Sequence, residues 1–337
     1  MREVLGTLER WSAEGLRAAV ATVVRTERSA PREPGAVLAV SERGEVAGSV
    51  TGGCVEPAVY GEAEEVLAGG PARLVTYGIS DEEGFNVGLS CGGTVHILVE
   101  PLDPGVVAGL AEAIAEERSV AVVSPIAPDA GMRLVSADDP DAPNEVRDLI
   151  ARGETGVVSG PDGDLFVSTF APRPDMYVFG AIDFASAVAS IGRFMGYRVT
   201  VCDARATFVT PERFPDVDRL VVAWPHEFLA TAHVDQRTAI CVLTHDAKFD
   251  VPVLKAALAT PAGYIGAMGS RRTTEQRNER LRAEGVSEEN LARVHAPIGL
   301  PIASRTPSEV AVAVAAEIIA TKRQGVAPEA REARARV

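Results

Sequence analysis

Between residues 176 and 268, short apolar runs alternate with helical or turn segments. MYVFG, RVTVCD, RLVVAW, AICVLTHD and GYIGAM are each of strand length. FASAVASIGRFMG, between the first two, places Phe184, Val188, Ile191 and Met195 on one face of a helix. Strands this apolar, separated by helices, pack as a parallel sheet covered on both faces. The alternation predicts a Rossmann-like doubly wound domain over residues 174–325. Its last helix has a marked start: Thr306 as N-cap, Pro307 at the first helical position and Glu309 completing a capping box.

Ahead of that domain, the two prolines of APRPDMYVFGA mark a boundary near residues 171–175. Residues 1–173 are mixed α+β, so the fold class is α/β with an N-terminal α+β domain. AVLAV and EVAGSV flank the turn SERG, a hairpin signal. EPAVYGEAEEVLA reads as a helix with Val59, Ala63, Val66 and Leu67 inward. RLVTYG and TVHILVEPL read as strands, residues 104–117 as a helix, and short strands run on to about residue 170. Residues 326–337 form a charged tail.

Net charge excludes some function classes. At −14, with a pI near 4.9, the chain is not built for nucleic acid or an anionic membrane, which attract basic surfaces. No uncharged apolar run reaches the roughly 18 residues of a membrane helix, and MREVLGTLERW has no secretory apolar core. A cytoplasmic protein with reduced thiols is the expectation. Cys54, Cys91, Cys202 and Cys241 are scattered with no C-x-x-C pair, so no metal site is predicted from them.

Two of these cysteines touch glycine pairs. In GSVTGGCVEP, Cys54 follows Gly52 and Gly53 and precedes Glu56-Pro57. With Glu56 as N-cap and Pro57 opening a helix, Cys54 lies at the positive helix end, where the nucleophilic, metal-binding thiolate is favoured. The glycines leave access open, and Glu56 is either a cap alone or a proton donor and acceptor beside the sulfur. GLSCGG repeats the theme, with Cys91 before Gly92 and Gly93. The competing reading is that both cysteines simply pack beside turns. Cys202 and Cys241 lie inside apolar strands and read as core, and His96 reads as structural.

In the second domain the polar residues fall at strand ends, where open parallel sheets bind ligands. They are Gly180 and Asp183, Asp203 and Arg205, His245 and Asp246, then Gly269-Ser270-Arg271-Arg272. The last group offers backbone amides and guanidinium groups to a phosphate. Asp203 lies 23 residues after Gly180, a spacing suited to a ribose hydroxyl of NAD(P). The glycine fingerprint is poor, however: Ile182 stands where pyrophosphate should approach the backbone, and Asp183 would repel it.

SAPREPGAVLAV, GSVTGGCVEPAV and GLSCGG in the first domain, with ERFPDVDRLVV, VLTHDAKFD, YIGAMGSRR and PIGLPIASRTPSEVAVAVAAE in the second, resemble the XdhC/CoxI family. The resemblance runs over nearly the whole chain in one order. It implies an accessory chaperone that binds molybdenum cofactor (molybdopterin), supports its sulfuration and inserts it into a molybdenum hydroxylase of the xanthine dehydrogenase or CO dehydrogenase type. It further implies a homodimer, with a cysteine desulfurase as a candidate second partner. On this reading Cys54 contacts molybdenum or handles sulfur, Cys91 is its neighbour, and Arg32, Arg271 or Arg272 takes the cofactor's phosphate. Relatives often carry G-A-G-H where this chain has Gly180-Ala181-Ile182-Asp183. Two alternatives stay open: an NAD(P)-dependent oxidoreductase, and a thiol enzyme (sulfurtransferase or peroxidase) with Cys54 as nucleophile. The chain lacks an iron–sulfur cysteine pattern, so it is not a complete xanthine dehydrogenase.

Overall fold

A computed structural model describes residues 1–28, 30–78, 93–128, 131–160, 163–244 and 246–323. The chain forms two units, Met1–Pro172 and a second that begins at Arg173.

The first unit contains α1 (Leu5–Ala13), β1 (Ala18–Glu27), β2 (Val37–Ser41), β3 (Val46–Gly48), α2 (Glu56–Leu67), β4 (Arg73–Tyr77) and β5 (Thr94–Pro101). It continues with α3 (Pro104–Ala115), β6 (Val120–Pro125), β7 (Arg133–Ser136), α4 (Asn144–Arg152), β8 (Gly156–Gly160) and β9 (Gly163–Phe170). Two antiparallel sheets result, ordered β3-β2-β1-β5-β4 and β7-β6-β9-β8. The expected hairpin is β2–β3, with Leu38 opposite Gly48. Gly48 has φ +81°, and a side chain there would run into the Val37 carbonyl. Val59, Ala63 and Val66 of α2 are buried against Val23, Val40, Ile97 and Val99 of the first sheet. Trp11 and Leu8 of α1 meet Leu110 of α3 and Val120 of β6 in a second core.

The second unit contains β10 (Asp175–Phe179), α5 (Asp183–Phe194), β11 (Arg198–Asp203), β12 (Arg219–Val222), α6 (Pro225–Leu229), β13 (Ala239–Val242), α7 (Ala247–Leu258) and β14 (Tyr264–Ala267). Then follow α8 (Arg271–Ala283), α9 (Glu288–Leu291), β15 (Val294–His295) and α10 (Pro307–Arg323). Every pairing in its sheet, ordered β12-β11-β10-β13-β14-β15, is parallel. The fold is the doubly wound one read from the strand alternation, with one short strand more, β15. One face carries a core of Met176, Val178, Val199 and Val201 with α5 and α10. The other carries Phe179, Cys202, Ile240 and Val242 with α6 and α7. The capping box at α10 is present: Glu309 N donates to Thr306 Oγ1 at 3.3 Å, and Thr306 N to Glu309 Oε2 at 3.0 Å.

One helix face differs from expectation. The buried stripe of α5 is Ala185, Val188, Ala189 and Gly192, with Ile191 and Met195 only flanking it and Phe184 outside it. Small residues let the helix sit close to the sheet, and a side chain at Gly192 would collide with Met176. Close approach, not side-chain size, selects this face.

Candidate functional site

Helix α2 begins at Glu56, with Val55 as N-cap, one residue earlier than Pro57 alone suggested. Its Glu56 carboxylate turns back into the preceding loop and gathers that loop's donors. Oε1 accepts from the Ser49 hydroxyl (2.6 Å) and from the amides of Val50 (3.2 Å), Thr51 (2.9 Å) and Gly52 (2.9 Å). Oε2 accepts from the Thr51 hydroxyl (2.7 Å) and the amides of Gly53 (2.8 Å) and Val55 (3.2 Å). Burial alone would raise the Glu56 pKa, but the bonds from Ser49 and Thr51 outweigh it and hold the carboxyl far below its usual range. With seven donors directed at it, Glu56 anchors the loop. A role in shuttling protons beside the sulfur does not fit it.

Cys54 rides on this anchored loop. Its amide donates to Thr51 Oγ1 at 3.2 Å, and its half-buried side chain packs against the cluster containing Val50, Val55 and Val59. The amides at this helix end donate to the Glu56 carboxylate. Gly52 (φ +83°) and Gly53 (φ +122°) are exposed, and a side-chain carbon at either would meet nothing within 4 Å. Their requirement is conformational, and the face they leave beside Cys54 is open. Cys91 and Gly92 lie outside the described residues. Gly93 is buried just ahead of β5.

Arg32 pairs with Glu3 (Nη2–Oε2 2.6 Å), which competes with the phosphate role considered for it. His96 is held between Thr76 Oγ1 (2.9 Å) and Glu27 Oε1 (3.3 Å). Cys202 and Cys241 are fully buried, and burial pushes both thiols up to about 12. Among the described residues, no three His, Cys, Asp or Glu side chains are grouped to hold a metal ion.

In the second unit the strand order reverses at β10, flanked by β11 and β13, and the ends of these strands gather several of the expected residues. Gly180 takes φ +103°, where a side chain would come within 2.8 Å of Thr244 Cγ2. Asp203, only 2 % exposed, accepts from Arg205 N and Nε on Oδ1 (2.9 Å each). Its Oδ2 accepts from Ala181 N (2.8 Å) and Arg205 Nη2 (2.7 Å). Burial raises the pKa of Asp203, but the bonds from Arg205 and the Ala181 amide overcome this and hold it ionised. Four donors fill its acceptor positions, so Asp203 braces the Gly180-Ala181 turn and is not placed to receive a ribose hydroxyl.

Arg205 stacks 4.7 Å above the Phe208 ring, and Arg213 lies 5.4 Å from the same ring while reaching Asp183 at 3.2 Å. Asp246 caps α7, accepting from Lys248 N at 3.1 Å. His245 lies outside the described residues. Ser270 caps α8 (Thr273 N at 3.2 Å), Gly269 precedes it at φ +144°, and Arg271 and Arg272 stand exposed in the first turn. Neither arginine has an ion-pair partner among the described residues.

Three residues of this region were missed from sequence. Thr244 donates a very short hydrogen bond to Asp250 Oδ1. Asp250 Oδ2 faces Arg277 Nη1 at 3.5 Å, and that nitrogen donates to the Met268 carbonyl at 2.8 Å. The three tie the end of β13 and helix α7 to the turn that presents Gly269 and Ser270. Asp250 stood in the recognisable VLTHDAKFD stretch, but the charges all round RRTTEQRNERLRA hide Arg277 as a buried position.

Residues 176–318 match the family model described as the XdhC Rossmann domain, and residues 11–78 match the XdhC and CoxI family model. A Bacillus subtilis (strain 168) protein named as a probable xanthine dehydrogenase subunit is 27 % identical over 330 residues, covering 91 % of this chain and 94 % of the relative. An Escherichia coli (strain K12) protein named Molybdenum cofactor insertion chaperone PaoD is 29 % identical over 320 residues, covering 94 % of this chain and 88 % of the relative. The crystal structure of a xanthine dehydrogenase from Bacillus halodurans aligns with TM-score 0.62 and 23 % identity over 96 % of this chain and 98 % of that one, which shows a shared fold.

Proposed function

The chain belongs to the XdhC/CoxI family, and on that premise we propose that it is a maturation chaperone: it binds molybdenum cofactor, supports its sulfuration and inserts it into a xanthine dehydrogenase-type hydroxylase. The names of its two relatives, one a cofactor insertion chaperone and the other part of a xanthine dehydrogenase, support this reading. The observation that carries it in this chain is the Cys54 loop: a thiol at an open glycine turn whose backbone is locked by one carboxylate.

The cargo brings its own sulfur-rich coordination, so the protein need not supply a full ligand set. A single soft thiolate suits such a centre. Cys54 contacts the metal or its terminal sulfur, Glu56 fixes the loop that carries Cys54, and Gly52 and Gly53 set its turn. Arg271 and Arg272 bind the cofactor's phosphate, since Arg32 is engaged by Glu3. A cysteine desulfurase as sulfur donor, a homodimeric state and a cytoplasmic setting belong to the same proposal.

The test is cofactor retention. Purified protein is incubated with released molybdenum cofactor and gel-filtered, and bound molybdenum and pterin are quantified. Stoichiometric retention by wild type, lost in Cys54→Ser and weakened in the Arg271→Ala/Arg272→Ala variant, is expected. No retention by wild type would overturn the chaperone reading. Retention unaffected by Cys54→Ser would remove the thiol from it.

A further inference from the structure

On the sheet face covered by α6 and α7, the N-terminal halves of β10, β11 and β12 carry a cavity of about 480 Å³. Strand register aligns Tyr177, Thr200 and Arg219 in one row across the three strands, with Asp175 beside Arg198 two residues earlier. Phe228 of α6 and the segment around His233 form the opposite wall. The cavity lies at the far end of the strands from Gly180, Asp203 and Ser270, so it is separate from the strand-end site described above.

Its charges are paired with one exception. Asp175 is held by Arg198 through Nε–Oδ1 (2.8 Å) and Nη2–Oδ2 (3.2 Å). Asp218 is held by Arg173 (3.0 Å), by Arg193 (3.7 Å) and by the Val199 amide (2.9 Å). Arg219 has no carboxylate partner among the described residues, and its guanidinium lies 5.7 Å from the Phe228 ring centre. Thr200 is 4 % exposed and lines the cavity between Tyr177 and Arg219. Beside them Tyr177 and Phe228 meet edge to face at 5.4 Å and give an aromatic wall.

We propose that this cavity binds a small organic monocarboxylate with a flat apolar body. The carboxylate accepts from Arg219 and from the Thr200 hydroxyl, and the body lies against Tyr177 and Phe228. A single charge is specified because one guanidinium is left to neutralise it while two carboxylates, Asp175 and Asp218, line the same cavity. A phosphate dianion would meet their repulsion.

The test is calorimetric titration of the full chain with benzoate, benzamide and inorganic phosphate. Benzoate is expected to bind with a dissociation constant of millimolar order or tighter, and benzamide about tenfold more weakly. Arg219→Gln, at an exposed position, and Thr200→Val should each weaken benzoate by about fivefold or more. The first variant alone decides the matter if the second folds poorly. The proposal is overturned if benzoate gives no saturable heat, if phosphate binds better than benzoate, or if Arg219→Gln leaves benzoate binding unchanged. None of these outcomes bears on cofactor retention through Cys54.

Discussion

Thr51 and Glu56 are bound to each other twice: the Thr51 amide donates to Oε1 at 2.9 Å and its hydroxyl to Oε2 at 2.7 Å. The six residues from Thr51 to Glu56 are thereby closed into a turn, and Cys54 is one of them. The negative charge at the start of α2 is also favourable to the helix. The loop that carries Cys54 is thus held in place by one carboxylate.

Glu56→Gln should therefore disturb the loop without touching the sulfur. The amide group presents donors where the loop also presents donors, so several bonds fail together. A loss of about 2–3 kcal/mol in urea unfolding is expected, with faster alkylation of Cys54 in the native protein. Unchanged stability and unchanged alkylation would show that the carboxylate is not the anchor.

Stability should also fall on either side of about pH 4.5. The folded pKa of Glu56 is depressed, so its contribution is present above the unfolded value of 4.5 and fades as pH drops below it. Glu100 acts with the opposite sign. It is 2 % exposed on β5 with Oε2 unpartnered, and burial, only partly offset by Ser124, lifts it to about 7. A raised carboxyl pKa removes stability as pH climbs from 4.5 to 7, by about 3 kcal/mol. Glu100→Gln should flatten the fall of melting temperature between pH 4.5 and 7 and leave the loss below pH 4.5 in place.

Much of this was legible because its cause is local. The continuous apolar run of AICV and the capping box at Thr306–Glu309 each follow from neighbouring residues, and both elements are present. The GGCVE loop could be singled out, but not the direction of Glu56, since a carboxylate at a helix start reads equally as a cap or a catalyst. Asp203 has the spacing of a ribose-binding carboxylate, yet Arg205, two residues on, occupies it, and spacing says nothing about prior occupancy. The Asp250–Arg277 pair joins residues 27 positions apart, and no periodicity reports such a contact.

That pair should be costly to break and cheaper to remove. Both side chains are nearly inaccessible, at 3 % and 4 % exposure. Arg277→Met strands the Asp250 carboxylate and should cost about 3–5 kcal/mol. Adding Asp250→Asn removes the stranded charge and should recover part of that loss. A double-mutant cycle in chemical unfolding measures the coupling, and additive losses would show that the two groups do not act as a pair.

Glycines at the two candidate regions are required for different reasons, and substitution separates them. Gly52 (φ +83°) has nothing within 4 Å of a would-be side chain, so Gly52→Ala is penalised only by backbone conformation, at about 1 kcal/mol. Gly180 (φ +103°) carries the same kind of penalty, and its side chain would also press on Thr244 Cγ2 at 2.8 Å and Thr244 N at 3.0 Å. Gly180→Ala should therefore cost more, about 2–4 kcal/mol, because Thr244 is tied to Asp250 and cannot give way. Thermal unfolding of the two variants ranks them. A Gly52→Ala loss equal to that of Gly180→Ala would mean that the loop before α2 is more closely packed than its open surface indicates. A small Gly52→Ala loss with cofactor retention intact would mean that Gly52 serves the turn, and that access to Cys54 does not depend on the absence of a side chain there.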